Sequence, residues 1–120
     1  MLSVHINNTT KNKINSGLIE RSIESVLNGY GVKIAEISVV VVDGEKMRKI
    51  VDRHYAKDKE EHPVLAFPER EVETNFIQHE EKNYLGEIVL NYDYAKGSVE
   101  DELASWAAHA TLHLLGIHHD

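Results

Sequence analysis

Four of the chain's eight histidines, His109, His113, His118 and His119, lie in its last twelve residues, HATLHLLGIHHD. Residues four apart on a helix stand one above the other, so His109 and His113 can turn both imidazoles toward a single ion. Gly116 predicts the end of that helix, because glycine enters the left-handed conformation without a Cβ penalty. The returning chain can then carry His119 or His118 to the same ion. Three neutral imidazoles leave Zn²⁺, or another divalent transition metal, its full charge and an open position, which is a hydrolytic arrangement. In HExxH peptidases a glutamate beside the first ligand is the general base; Ala110 stands there and cannot accept a proton, which argues against peptidase chemistry.

The rest of the composition narrows the field. A chain of 120 residues fits one domain, expected to span 1–120, and the absence of cysteine excludes thiolate metal sites and cysteine nucleophiles. The net charge of −7 argues against a generic polyanion binder. Positions 45–59 are nevertheless locally basic, with Lys46, Arg48, Lys49, Arg53, Lys57 and Lys59 against Glu45, Asp52 and Asp58. Two readings stay open for that segment: a surface that positions phosphates, or a solvated helix face laced by i,i+4 ion pairs. No apolar run reaches the roughly eighteen residues of a membrane helix, and MLSVHINNTTKNK lacks the apolar run of a secretory signal. A cytoplasmic protein without a membrane partner is therefore expected.

Patterning supplies the elements that must hold the histidines. LSVHINN at 2–8 alternates as a first strand, and Ile14, Leu18, Ile19, Ile23 and Val26 recur at helical spacing before Asn28, Gly29 and Gly31 close the segment. The β-branched run IAEISVVVV at 34–42 predicts a central strand, turned by Asp43 and Gly44. A second helix is expected from Glu45 to Tyr55, with Met47, Ile50, Val51 and His54 or Tyr55 inward. A charged loop at 56–63 leads to a short strand, Val64 to Phe67, ended by Pro68. The acidic stretch from Glu69 to Asn83 reads as a mobile flap or a long surface loop, and LGEIVLNY at 85–92 as a fourth strand. Ser98 is the expected N-cap of the last helix, with Asp101 completing a capping box and Glu102 complementing the helix dipole. Leu103, Trp106, Ala107, Ala110 and Leu114 form its apolar face, with His109 and His113 along the edge. The whole predicts an α/β (α+β) domain with about four strands in a mixed sheet packed with helices.

The final stretch resembles the signature HGxLHLxGYDH of the YbeY family of metal-dependent endoribonucleases that mature ribosomal RNA; VLAFP at 64–68 resembles its DVLSFP and LGEIVL at 85–90 its LGDIVI. The resemblance implies a zincin-like fold with a C-terminal metal-binding helix, and it assigns the three ligand positions to His109, His113 and His119, with His118 in the place of the family's aspartate. It implies single-stranded or ribosomal RNA as substrate and ribosome-associated proteins as further partners. Two departures touch the chemistry: Ala56 stands where the family has an arginine, and Ala66 where it has a serine. Arg53, Lys57 or Lys59 is then expected to supply the missing positive charge, and His62 is the candidate acid for the leaving oxygen. An alternative follows from the same alanines, a zinc-stabilised RNA- or ribosome-associated binding domain whose cleavage has weakened. Asp120 follows the last ligand position, so its carboxylates are expected either beside the ion or out in solvent.

Overall fold

Residues 37–42 are all buried, so the second strand is covered on both faces, as its β-branched run requires. The computed structural model describes residues 1–69 and 83–117. In chain order these form β1 (Leu2–Asn8), α1 (Ser16–Gly29), β2 (Ala35–Val42), α2 (Gly44–His54), β3 (Val64–Pro68), β4 (Tyr84–Asn91) and α3 (Val99–Leu114), with one 3₁₀ turn at Tyr92–Tyr94. Among the described residues the sheet has four strands in the order β1-β2-β4-β3, parallel except for β3. That is the mixed sheet expected from the sequence. The acidic stretch at 70–82 lies outside the described residues, as do His118, His119 and Asp120.

The two faces of the sheet are sorted by strand alternation. Ile37, Val39 and Val41 of β2 and Ile88 and Leu90 of β4 enter one core with Ile19, Ile23 and Leu27 of α1 and Leu103, Ala107 and Ala110 of α3. Val40, Val42, Val89 and Phe67 turn the other way, onto Met47, Ile50 and Val51 of α2. Two helices thus cover one face and a single helix the other. At the end of α2 the sequence allowed His54 or Tyr55 an inward place, but both are exposed; the His54 ring instead stacks obliquely at 4.8 Å from Phe67.

Helix ends show where local chemistry matched expectation and where it did not. Asn15 Oδ1 accepts the Leu18 N–H at 3.0 Å to start α1, and Asp43 Oδ1 accepts the Lys46 N–H at 2.8 Å to start α2. The second helix therefore begins at Gly44, whose own N–H is taken by Asp93 Oδ2 at 2.8 Å. At the start of α3 the Ser98 side chain makes no capping bond. The expected Ser98–Asp101 capping box is therefore not formed; Glu102 Oε2 instead accepts the N–H groups of Lys96 and Gly97 at 3.0 and 2.9 Å, tying the residues just before the cap to the helix. The other end of α3 is as predicted. Gly116 has φ of 83°, its N–H reaches His113 O at 2.9 Å, and the Ile117 N–H reaches Leu112 O at 2.9 Å, which closes the helix in a Schellman turn.

Pro68 does not end β3, as the sequence suggested; it belongs to it. The antiparallel register runs from Val64↔Leu90 to Pro68↔Gly86, and the Asn91 N–H donates to Pro63 O at 2.9 Å. Ladder bonds then alternate through Leu65 and Phe67, while the main-chain groups of Val64, Ala66 and Pro68 face away from β4. A proline on the outward set costs the ladder nothing. Among the described residues, no helix is long and apolar enough to cross a membrane.

Candidate functional site

The helix that carries the histidines is fixed by burial on one side only. Leu103, Ala104, Ala107, Ala110 and Thr111 are the buried positions of α3, and Thr111 satisfies its hydroxyl by donating to Ala107 O at 2.8 Å. Ala104 and Thr111 extend the expected apolar face. Trp106 and Leu114 flank it half-buried. His109, exposed, and His113, half-buried, are left beside this stripe, with ring centroids 4.9 Å apart and planes at 73°. The four-residue spacing thus sets the two rings side by side on the helix.

The pair opens onto a cleft of about 330 Å³ between α3 and β3, whose other wall is Val64, Leu65, Ala66 and Pro68. Ala66, where the resemblance expects a serine, thus stands in the same cleft as both histidines. Two imidazoles one helical turn apart at the mouth of such a cleft are a donor set suited to a divalent transition ion. Among the described residues no group of three histidine, cysteine or acidic side chains is close enough to hold a metal, and positions 118 and 119 lie outside them.

Gly86 sets how closely β3 and β4 approach behind this cleft. Its φ is 147°, and a Cβ built there would overlap Phe67 O and come within 3.0 Å of Pro68 Cα and Leu114 Cδ2. Glycine in LGEIVL is therefore read as a packing requirement of the strand pair under the histidines.

The remaining candidates do not gather at the histidine pair. His62 lines a second crevice, of about 450 Å³, on the α2 side of the sheet with Met47, Arg48, Asn91 and Asp93. Its Nε2 lies 2.7 Å from Asp58 Oδ2, and its carbonyl accepts the Asn91 amide at 3.0 Å. Arg53, Lys57 and Lys59 are exposed at the end of α2 and in the loop that follows, as is Ala56. The basic segment is partly the solvated helix face weighed above, since Glu45–Lys49 and Arg48–Asp52 each form an i,i+4 pair at 3.7 Å.

Arg48 also does something the sequence did not disclose. Its guanidinium donates to the carbonyls of Asp58, Lys59 and Glu60 at 3.4, 3.3 and 3.1 Å, so one helix residue holds the following loop. Asn91 was missed for a similar reason. It reads as a strand residue, yet it is buried and joins β4 to the His62 loop. No spacing rule could have found either contact; a buried polar residue at a strand end was the available signal.

Comparison with known proteins adds an independent line. A family model described as Endoribonuclease YbeY matches residues 5–120. A protein of Caldicellulosiruptor saccharolyticus named Endoribonuclease YbeY is 33% identical over 129 residues, covering 94% of this chain and 81% of the relative. One of the same name from Aquifex aeolicus is 29% identical over 117 residues, covering 92% of this chain and 73% of the relative. One from Thermoanaerobacter sp. is 33% identical over 118 residues, covering 86% and 74%.

Proposed function

Because the chain belongs to the endoribonuclease YbeY family, we propose that it is a metal-dependent endoribonuclease that cuts single-stranded RNA during ribosomal RNA maturation in the cytoplasm. The observation that carries the reading is the pairing of His109 and His113 at the mouth of the β3–α3 cleft. With His119, or His118 in its place, they would hold Zn²⁺ or a similar divalent ion. When bound, such an ion supplies positive charge for a phosphoryl oxygen and acidifies water.

What the protein's own residues contribute follows from their places. The buried stripe of α3 keeps the two imidazoles on one side of the helix, and the Schellman turn at Gly116 ends the helix three residues after His113. Val64, Leu65 and Ala66 offer an apolar wall that limits the water around a phosphodiester held in the cleft. Arg53, Lys57 and Lys59 are proposed to position RNA phosphates outside it, a role suited to exposed cations.

A second reading rests on Ala66. An alanine in the cleft where the resemblance expects a serine favours a zinc-stabilised domain that binds RNA or a ribosome-associated protein with weakened cleavage. One experiment separates the two. Metal content and cleavage of single-stranded and duplex RNA are measured for wild type, His113→Ala and chelated protein. Cleavage lost together with the metal supports the nuclease; one metal per chain with cleavage at background supports the binding domain.

A further inference from the structure

The edge of β3 offers more than a wall to the cleft. Among the described residues β3 has β4 as its neighbour on one side and none on the other. The register turns the N–H and C=O of Val64 and Ala66 outward along that open edge, whereas their side chains turn toward the core shared with α3. The same two residues therefore line the histidine cleft and present main-chain groups at its border. Groups on the outward set repeat every roughly 6.7 Å, twice the strand rise, and the facing Val64 C=O and Ala66 N–H form one adjacent acceptor–donor pair.

We propose that this pair binds the Watson–Crick edge of an unpaired RNA base next to the bond to be cut, and that single-strand preference originates there. The proposal rests on the endoribonuclease reading above. An unpaired base presents a donor beside an acceptor on that edge: N6–H and N1 in adenine, N4–H and N3 in cytosine, N3–H and a carbonyl in uracil. A base in a duplex has already used them. Main-chain recognition of this kind is tolerant of base identity and intolerant of pairing.

The prolines select this occupant over an extended peptide. Strand addition draws on a run of alternating main-chain donors and acceptors. Pro68 removes the next outward donor after Ala66 and the strand ends there, so the outward donors stop at Val64 and Ala66 and the edge is too short for a ladder. One base needs only one acceptor–donor pair.

Ala66→Pro tests the idea, because it deletes an outward N–H without removing a bond to β4, and the preceding Leu65 is already extended. Wild type and Ala66→Pro are compared on single-stranded RNA and on the same RNA carrying N1-methyladenosine and N3-methyluridine, which block the Watson–Crick edge. Metal content and circular dichroism are followed in parallel. The expected result is a loss of about tenfold in kcat/KM for Ala66→Pro with metal content unchanged, a similar loss for wild type on the blocked RNA, and no further loss when the two are combined. A folded Ala66→Pro protein with full activity overturns the proposal and leaves the edge to a peptide partner. Equal cleavage of blocked and unblocked RNA by wild type overturns it as well, and decides the matter if the variant fails to fold. Wild type that cuts neither RNA overturns the endoribonuclease reading and this proposal with it.

Discussion

His62 Nε2 and Asp58 Oδ2 lie 2.7 Å apart in the loop between α2 and β3, and that loop is built rather than slack. Asp58 also accepts the Glu60 N–H at 2.9 Å, its own N–H donates to Tyr55 O at 2.8 Å, and Arg48 grips the carbonyls beyond. The Glu60 N–H first, and then the His62 ring, hold the Asp58 carboxyl below its ordinary value of 3.8. A carboxyl lowered in the fold binds fewer protons there than in the unfolded chain, so its contribution is present above that ordinary value and fades as the pH falls below it. Asp58→Asn is therefore expected to be less stable than wild type at pH 7, with a smaller gap at about pH 3. Urea unfolding at both pH values measures it; a gap that is equal at the two would count against the assignment.

Tyr84 is predicted to matter at the opposite end of the scale. Burial in the sheet raises its phenol above the ordinary 10.0; the Ser38 hydroxyl opposes the shift, and the negative charges of Glu87 and Glu36 add to it. The unfolded chain then loses the proton first, so this contribution is whole below about 10 and is lost as the pH climbs past it. Tyr84→Phe should show a flatter fall in thermal stability between pH 9 and 11 than wild type. Parallel curves would contradict it.

Gly86→Ala should destabilise by roughly 2–4 kcal/mol, because the new Cβ meets the Phe67 carbonyl and the backbone conformation itself disfavours an L side chain. Chemical denaturation gives the number. A loss under about 0.5 kcal/mol, the range of ordinary surface changes, would mean that β3 moves aside freely.

At the start of α3, Glu102→Ala is expected to lower stability by about 1 kcal/mol through its two lost hydrogen bonds, whereas Ser98→Ala should be close to neutral. Thermal melts of the two variants check the order. The reverse ranking would restore Ser98 as the cap.

These cases show what kind of information was legible beforehand. The His109–His113 pair follows from helical geometry alone, and the stop at Gly116 from the backbone freedom of one residue, so both could be read locally. The β-branched run of β2 declared a strand buried on both faces. What stayed hidden depended on partners distant in the chain: that β3 sits at the sheet's edge among the described residues follows from the crossover order β1-β2-β4-β3. The same holds for His62, the candidate acid by resemblance, which lies in the loop before β3 and lines the crevice on the α2 side. Ser98 misled because its side chain fits the capping rule, yet it makes no capping bond, and Glu102 binds the N–H groups of the two residues before it.

The chain has two prolines, and they bracket β3 as Pro63 and Pro68. An exposed sheet edge is ordinarily a hazard, since another copy of the protein can zip onto it and begin an aggregate; natural proteins blunt such edges with short strands and prolines. Here the edge is five residues long, and Pro68 cannot donate to an incoming strand. The arrangement that leaves Val64 and Ala66 facing outward is thus also a guard on solubility. Replacing Pro68 with a β-branched residue would extend the run of available donors, and sedimentation or light scattering at rising concentration would register the self-association that the native sequence prevents.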